Sequence, residues 1–551
     1  MHPPDCHHIR SLLPCPALFL LHHPERMQAM GLTSTSYDEV RYPAGLFPQT
    51  HPDRLATTAY LRGLSPVPIE RCRVLELGCG AANNLVAMAF QLSESEFVGV
   101  DLARIPIAAG QSLAAELGLR NVTLQAMDLC DRNLEKFGTF DFIIAHGVYS
   151  WVPDFVRERI LQICQDMLTE QGIGYVSYNA YPGCHFRDLV RNMMRFHTQK
   201  FEGVLEKAIQ ARALVKFMAE SRTKPDYYTE AFRTQLERIV KYGDESLYHD
   251  DLNPVAQPFY FYEFMEQAER HNLQYVGEAV LDSSDRAKFT PEALQRMREL
   301  DGANEIVREQ YKDFLCGTGF RQTLLCRREA RVAAAFLEER IPDLFAMCDS
   351  VSLTDPEKAG DSPVEFKTPG GGKFEIANPL WRTALSYICS QWPCAVSFEQ
   401  ILKEVRLRGP KNNTDWDSVA ERTFIASGLK ESYALGVAFL RVRPPNVVNK
   451  VSERPAISRL AQAQIRLGES IASQLHASMK VPDAAGRHFL SLLDGTRDLE
   501  ALTTEMIAYA RSSGENLLPS ETDDKEGLEE KVKQTVKNNL VSLVRSGMLV
   551  A

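Results

Sequence analysis

Short apolar runs alternate with amphipathic segments between residues 70 and 180 of the chain. Segments with apolar residues at helical spacing begin near Asn83, Pro106 and Arg157 and separate the apolar runs. Five apolar runs predict buried strands, over residues 73–77, 96–101, 122–128, 140–145 and 173–179. Strand and helix in repeated alternation predict a parallel sheet with right-handed crossovers. We therefore expect an α/β, Rossmann-like domain over residues 33–195.

The remainder of the chain changes character. Residues 196–350 are charged with helical periodicity and give no evident strand ladder, so we expect a helical middle domain. Residues 351–372 are rich in proline, glycine and charge, which predicts a linker. Two similar blocks follow, 373–450 and 451–551, and each resembles a small helical bundle that ends in a strand or wing, so we expect two winged-helix-like domains. The acidic run 521–530 is interpreted as a solvated loop or helix face.

Composition restricts the classes of function. At 551 residues the chain exceeds the roughly 250 to 300 residues at which single cores stop growing, which agrees with several domains. The net charge of -10 argues against a nucleic-acid partner. The 12 cysteines form no CxxC pair and no zinc spacing, so we expect no metal site and a reducing, cytoplasmic environment. No apolar run approaches the roughly 18 residues of a membrane span.

The first residues form a separate case. Residues 1–32 contain the apolar run SLLPCPALFLLHH but also two prolines, and they have a weak basic start. We interpret them as a disordered extension, upstream of a functional start at Met27 or Met30, with a signal peptide as the alternative.

The stretch ELGCGAANNL, residues 76–85, joins a buried strand to a helix through small residues. Gly78 and Gly80 allow a ligand to approach the backbone, and the helix start points free N–H groups at it. The third glycine of a dinucleotide fingerprint is missing. Asp101 and Asp128 end the next two strands, where carboxylates can bind ribose hydroxyls and an adenine amino group. A single aspartate at either position is more often a helix cap. Two aspartates that end the two strands after a glycine turn favour a nucleoside cofactor.

Aromatic residues follow the fourth strand in HGVYSWVPDF, residues 146–155. A strand exit of this kind predicts a pocket wall, although core packing is the alternative for the aromatic residues and a structural role is the alternative for His146. SYNAYPG, residues 177–183, adds a second polar and aromatic edge or, alternatively, a rigid turn capped by tyrosines. FPQTHPDRL, residues 47–55, is either a lid in which Arg54 meets a carboxylate or a structural helix capped by Asp53.

Several longer stretches carry a resemblance to a known family. They are SYDEVRYP, FPQTHPDRLAT, AHGVYSWVP, SYNAYPG, PFYFYEFMEQAERHNLQYVGEA and EQYKDFLCGTGFRQTLLC. Together with the glycine turn they resemble bacterial class I methyltransferases that bind S-adenosylmethionine (SAM) and carry a methyltransferase regulatory domain, similar to rickettsial lysine methyltransferases that act on outer-membrane protein. The resemblance covers most of residues 36–330 and extends more loosely over the C-terminal blocks.

The resemblance implies a role for each candidate residue. The implied cofactor-binding residues are Glu76, Gly78, Gly80, Asn84, Asp101, Leu102, Asp128, Leu129 and Ala145. The implied catalytic residues are His146, Tyr149, Trp151, Asn179 and Tyr181. The implied substrate-binding residues are Tyr37, His51 and Tyr178.

The resemblance also implies the reaction, which is methyl transfer from SAM to protein lysine side chains. A small-molecule or natural-product acceptor is the alternative within the same fold. A non-catalytic SAM-binding scaffold, or a winged-helix binding protein, is the alternative of another class. A homodimer is a further expectation.

Overall fold

The computed structural model describes residues 35–43, 45–224, 226–281, 289–299, 304–354, 362–409, 418–468, 470–480, 483–513 and 525–550. The extension expected over residues 1–32 lies outside this part of the chain, as does the beginning of the acidic run 521–530.

A seven-stranded sheet forms the centre of the N-terminal half. Its strands are β1 (Arg73–Leu77), β2 (Glu96–Asp101), β3 (Val122–Ala126), β4 (Phe140–Ala145), β5 (Leu168–Asn179), β6 (Leu273–Glu278) and β7 (Phe320–Arg327). They lie in the order β3-β2-β1-β4-β5-β7-β6. The first five strands are parallel and β7 is antiparallel to both of its neighbours. The Rossmann-like prediction is therefore confirmed.

Helices cover both faces of this sheet. They are α1 (Ser36–Glu39), α2 (Pro52–Leu61), α3 (Asn83–Gln91), α4 (Arg104–Leu117) and α5 (Asp154–Met167). Successive side chains of a strand point to opposite faces, so Val74 joins the core beneath α2, α3 and α4 whereas Leu75 joins the core beneath α5. Burial on both faces explains why β1, β2, β4 and β5 read as nearly continuous apolar runs. The expectation of a buried strand is wrong for β3, which lies at the edge of the sheet and is mostly exposed.

Residues 196–350 were predicted to be helical, but they also contain the strands β6 and β7. They pair with each other and extend the sheet beyond β5, in a segment whose neighbouring helices dominate the sequence pattern. The arginine of β7, Arg321, is buried and binds Asp313 and Glu278, with 2.8 Å separating the paired atoms in each case. Its guanidinium also lies 3.9 Å from the ring centroid of Phe261.

Seven helices surround this edge of the sheet. They are α6 (Cys184–Thr198), α7 (Val204–Glu220), α8 (Tyr227–Ile239), α9 (Asp244–Asp251), α10 (Phe261–Arg270), α11 (Pro291–Glu299) and α12 (Glu305–Cys316). The first four pack around a small core of their own that includes Val190, Val215 and Phe232. Helix α10 packs on the sheet core through Phe261 and Phe264.

The C-terminal part contains two further helical units. The first has strands β8 (Phe345–Met347), β9 (Val351–Ser352), β10 (Val364–Lys367), β11 (Lys373–Ile376), β12 (Val396–Ser397) and β13 (Phe439–Arg441), with helices α13 (Pro379–Ser390), α14 (Phe398–Arg408) and α15 (Ser418–Ala434). The second has strands β14 (Ile471–Ala472) and β15 (Ser478–Met479), with helices α16 (Arg459–Leu467), α17 (Ala484–Ser491), α18 (Leu499–Ser513) and α19 (Lys525–Arg545).

The stretch 351–372, expected to be a linker, holds strands in its described residues. Strands β9 and β10 pair within it, and β11 completes a three-stranded sheet just beyond it. The buried side chains Val364 and Phe366 attach this sheet to the core of the first C-terminal unit. Alternating apolar residues therefore outweigh the local proline and glycine content.

Both C-terminal units pack directly against the N-terminal half. A buried ion pair joins Arg441 of β13 to Asp53 of α2, 2.5 Å apart. The Leu46 N–H donates to the Ser478 hydroxyl of β15 over 2.8 Å. Elements far apart in sequence thus meet beside the loop that precedes α2. Among the described residues, no helix is long and apolar enough to cross a membrane.

The buried Arg321 cluster predicts a large effect on stability. Replacing Arg321 by alanine leaves the buried Asp313 and the partly buried Glu278 without their cation, so we expect a loss of roughly 3 to 5 kcal/mol. The measurement is the thermal unfolding midpoint of the full chain. The matched control is Arg71→Ala, whose ion pair with Glu94 is exposed and contributes at most about 1 kcal/mol. Equal midpoints for the two variants would contradict the prediction.

Candidate functional site

The turn between β1 and α3 depends on two glycines with left-handed backbone geometry. Gly78 has φ of 69°, and a Cβ there would lie 2.4 Å from a methyl carbon of Val148. Gly80 has φ of 54° and nothing within 4 Å of the same position, so the space beside it is open. Ala82 caps α3 with φ of 55°, a conformation that glycine adopts more readily. Strand and helix thereby meet in a tight turn with exposed backbone.

Asp101, at the carboxyl end of β2, holds this turn in place. Its carboxylate accepts hydrogen bonds from the Gly80 N–H over 2.7 Å and from the Ala103 N–H over 2.8 Å. Burial raises the pKa of Asp101, although the two backbone donors act in the opposite direction. A carboxylate has about four lone-pair sites, so Asp101 retains acceptor capacity for a ligand hydroxyl.

Glu76 lies beside the same turn, near the end of β1. Its Oε1 accepts from the Asn84 side-chain amide over 2.8 Å. Its Oε2 is buried and has no hydrogen-bond partner among the described residues. Burial, with a smaller contribution from Asp101, raises the pKa of Glu76 to about 7. A buried, unpartnered carboxylate oxygen is costly unless a ligand donates to it.

The N-terminal segment closes the outer side of the turn. Asp38 accepts from the Ile105 N–H over 2.9 Å, which places α1 against the start of α4. Tyr37 stacks on His249 of α9 with 4.3 Å between ring centroids. Burial and the charges of Asp250 and Asp101 raise the pKa of Tyr37 to about 12. The predicted substrate residue Tyr37 therefore lies near Asp101.

The predicted adenine side is more open. Leu102 is 52% exposed, so its apolar side chain is free to pack against a flat ring. Asp128 is half-buried, and its Oδ1 accepts from the Cys130 N–H over 2.9 Å. Leu129 and Ala145 are buried below. These positions lie at or just after the carboxyl ends of β2, β3 and β4, as expected for a cleft at the carboxyl edge of a parallel sheet.

Residues after β4 form the opposite side of the cleft. The His146 ring lies 3.9 Å from the Phe47 ring, and its Nδ1 lies 2.9 Å from the Tyr175 hydroxyl. Burial lowers the pKa of His146 to about 4, so the imidazole is neutral at pH 7. Trp151 is half-buried, and the Arg187 guanidinium lies 5.5 Å from its ring centroid.

Two of the predicted aromatic residues lie in the core instead. Tyr149 is fully buried; it donates to Gln267 over 2.7 Å and packs against Phe264. Tyr178 stacks on the same Phe264 with 4.2 Å between ring centroids. These contacts give both tyrosines a packing role, because each ring is enclosed by the hydrophobic cluster beneath α10.

The turn after β5 is polar. The Asn179 N–H donates to the Ser150 hydroxyl over 2.8 Å, whereas its side-chain amide makes no hydrogen bond to the part of the chain that the structure describes. Tyr181 is half-buried, donates to Asp188 over 2.7 Å and stacks on His185. Asn179 thus has a side chain available to a substrate, and Tyr181 has its hydroxyl already engaged.

The residues around α2 have structural contacts. His51 is buried and caps α2 by accepting from the Asp53 N–H over 3.2 Å. Burial lowers the pKa of His51 to about 3. Arg54 lies 4.8 Å from the ring centroid of Phe439 in β13. This places Arg54 at the contact with the first C-terminal unit.

Several residues around the cleft were not among the sequence candidates. Tyr42 donates to both carboxylate oxygens of Asp250, at 3.3 Å each. Arg187 donates to the Asp250 carbonyl over 2.9 Å while lying over Trp151. His476, from the loop between β14 and β15, lies 2.8 Å from the Asn84 side-chain oxygen. No local sequence pattern marks them, because each reaches the cleft through long-range packing.

Comparisons with known proteins agree with this geometry. A methyltransferase domain model matches residues 74–172, a methyltransferase regulatory domain model matches residues 243–327, and a model of the PKMT C-terminal winged helix domain matches residues 453–548. A Rickettsia prowazekii protein is 36% identical over 392 residues, which cover 70% of each chain. The chain belongs to the SAM-dependent methyltransferases with a methyltransferase regulatory domain. The recognition made from the sequence motifs is thereby confirmed.

Solved structures support the same assignment for this methyltransferase. PKMT2 from Rickettsia typhi has a TM-score of 0.81 at 25% identity and covers 93% of this chain and 100% of its own. The structure of PKMT2 in complex with AdoHcy has a TM-score of 0.80 at 26% identity, with the same coverage. The regulatory domain match includes β6 and β7, so this domain supplies two strands of the catalytic sheet.

The residues present in the cleft fit SAM. The unpartnered Glu76 Oε2 suits the ammonium of its methionine part, and Asp101 suits the ribose hydroxyls. Asp128 and Leu102 suit the adenine amino group and ring face. When bound, SAM supplies a methyl group on a cationic sulfur. We expect these four residues to hold it.

Asp101 provides the first test of this site. Asp101→Asn keeps the side-chain shape but removes the charge that faces the ribose, so we expect the dissociation constant for SAM to rise roughly 10- to 150-fold, since a hydrogen bond to a charged group contributes roughly 1.5 to 3 kcal/mol. Isothermal calorimetry measures it. Glu135→Gln, at an exposed position between β3 and β4 that pairs with Arg159 of α5, is the control and should bind normally. An unchanged affinity in Asp101→Asn would remove Asp101 from the cofactor site.

The raised pKa of Glu76 predicts that cofactor binding depends on pH. Its pKa of about 7 means that the carboxyl group is increasingly protonated below neutrality, whereas an ammonium ligand favours the carboxylate. Affinity should therefore fall about tenfold from pH 8 to pH 6, with proton release on binding at the lower pH. Calorimetry in buffers of different ionisation enthalpy measures both. Glu76→Gln should bind more weakly and with a flat profile; a flat profile in the unaltered protein would contradict the assignment.

Proposed function

We propose that this protein is a protein lysine N-methyltransferase. The observation that carries the proposal is the chemistry at the exit of β4, where Trp151 is half-buried beside Arg187 and the Asp250 carboxylate lies near Tyr42 and Tyr37. Aromatic faces and a carboxylate are the groups that attract an ammonium ion. The match to a PKMT winged helix domain, a domain associated with protein lysine methyltransferases, supports the same acceptor.

The chain's own residues meet the needs of methyl transfer by positioning. The acceptor nitrogen has to lie about 3 Å from the methyl carbon in a site shielded from water. Trp151 and Phe47 would provide apolar walls, and the free amide of Asn179 would orient the amine through its side-chain oxygen. We assign these roles because Trp151 follows β4, Asn179 ends β5, and Phe47 lies against His146 at the exit of β4.

The amine also has to lose its proton, since a free lysine has a pKa of about 10.4. Partial burial favours the neutral amine, because desolvation disfavours the charged form. His146 is poorly suited as the base: burial lowers its pKa to about 4 and its Nδ1 lies against the Tyr175 hydroxyl. Burial raises the pKa of Asp250 to about 6, so it is mostly ionised at pH 7 and can attract the incoming ammonium.

We infer a cytoplasmic location from the absence of paired cysteine spacing in the sequence. The homodimer stays a prediction.

The test of the proposed function is label transfer. The full-length protein is incubated with methyl-tritiated SAM and a fractionated lysate, and labelled protein is hydrolysed for amino-acid analysis. We expect tritium in methyl-lysine. Label only in small organic-soluble products would indicate a small-molecule acceptor, and no transfer despite cofactor binding would indicate a scaffold.

Trp151 tests the acceptor side separately from the cofactor side. We expect Trp151→Ala to lower methyl transfer at least tenfold while SAM binding stays within about twofold, because the proposed role of the ring is to face the acceptor and each 1.4 kcal/mol corresponds to a factor of ten. Trp151→Phe, which keeps an aromatic face, should retain more activity. Full transfer by Trp151→Ala would show that the ring forms no part of the acceptor site.

A further inference from the structure

The side chain of Asn84 makes four polar contacts beside the glycine turn. Its amide nitrogen donates to Glu76 Oε1 over 2.8 Å and to the Thr50 hydroxyl over 3.0 Å. Its amide oxygen accepts from the Phe47 N–H over 3.0 Å and contacts His476 Nε2 at 2.8 Å. Asn84 is buried, so the orientation of its amide is set by these partners alone.

The contact with His476 has one chemically consistent arrangement. The nitrogen of the Asn84 amide already donates to Glu76 and Thr50, so the oxygen faces His476 and can only accept. His476 Nε2 therefore carries the proton and donates. Its Nδ1 is then an acceptor, and this atom is buried with no hydrogen-bond partner among the described residues.

Hydrogen bonds fix the loop that carries His476. Strands β14 and β15 form a hairpin, and His476 at its tip has φ of 59°. The carbonyl oxygen of Ser473 accepts from the Gln91 side chain of α3 and from the His476 N–H, and the Gln474 N–H donates to the Gly547 carbonyl. A non-glycine residue in the left-handed region is uncommon and costs free energy, so the hairpin maintains this geometry against a local preference.

We propose that His476 is a positioning residue for the cofactor site, through which the second C-terminal domain sets the affinity for SAM. By donating to Asn84, it keeps the amide nitrogen on Glu76 Oε1 and leaves Oε2 for the ammonium of the cofactor. The proposal rests on the assignment of Glu76 to SAM made above. His476 itself touches no reacting atom.

A reciprocal effect follows from this coupling. If the contact of the hairpin with Asn84 strengthens cofactor binding, bound cofactor must stabilise that contact by the same free energy. Cofactor binding and docking of the second C-terminal domain are then linked equilibria. The winged-helix domain therefore takes part in assembling the cofactor site.

The test compares variants of the full-length protein by calorimetry with AdoHcy. His476→Phe keeps ring volume but removes the donor, so we expect the dissociation constant to rise about tenfold, as for loss of a buried hydrogen bond. His476→Gln restores a donor and should recover most of the affinity. Arg466→Ala removes an exposed contact between the same domain and Glu116 of α4, and it should bind as the unaltered protein does. The Michaelis constant for the acceptor should stay constant in all three.

The outcomes separate this inference from the proposed function. If the unaltered protein binds no AdoHcy, the assignment of the cofactor site fails. If it binds and His476→Phe binds equally well, or if Gln is no better than Phe, only the role of His476 fails. Should the variants not fold, hydrogen exchange of the unaltered protein decides: AdoHcy should slow exchange across residues 471–479, and unchanged exchange would overturn the proposal.

Discussion

A buried amide at the start of α3 is the constraint on which the cofactor site depends. Asn84 joins Glu76 of β1, the loop that precedes α2 and the C-terminal hairpin through hydrogen bonds of 2.8 to 3.0 Å. These partners are distant in sequence. Losing any one of them leaves a buried polar group without a hydrogen bond, which costs free energy. The methyltransferase domain is therefore completed by residues that follow it by several hundred positions.

The same logic explains why the regulatory domain cannot be separated from the sheet. Strand β7 lies next to β5, and Arg321 within it neutralises Asp313 and Glu278 in the interior. Its helices α9 and α10 also supply residues near the cleft, among them Asp250, and the packing that encloses Tyr149 and Tyr178. Regulation and catalysis thus share one core, which favours a direct structural effect of this domain on the acceptor side.

Four of the five parallel strands could be predicted from sequence because strands buried on both faces read as nearly unbroken apolar runs. The edge strand β3 was also predicted, although it is mostly exposed. Strands β6 and β7 could not, since charged helices surround them and Arg321 and Glu278 interrupt their apolar pattern. In the cleft, the place of Asp101 beside the glycine turn was predictable because it ends the next strand, and the place of Glu76 was implied by the family resemblance. Tyr149 and Tyr178 were not distinguishable from wall residues, because neither periodicity nor spacing tells an enclosed ring from an accessible one. His476 has no local signal at all.

The decisive measurement is a crystal structure of this protein with AdoHcy. We expect the ligand's amino group within hydrogen-bond distance of Glu76 Oε2, its ribose hydroxyls on Asp101, and its sulfur directed toward the space between His146 and Trp151. We also expect His476 to keep its contact with Asn84. A ligand bound elsewhere, or in this cleft with Glu76 still unpartnered, would contradict the central claim that these buried acids form the cofactor site.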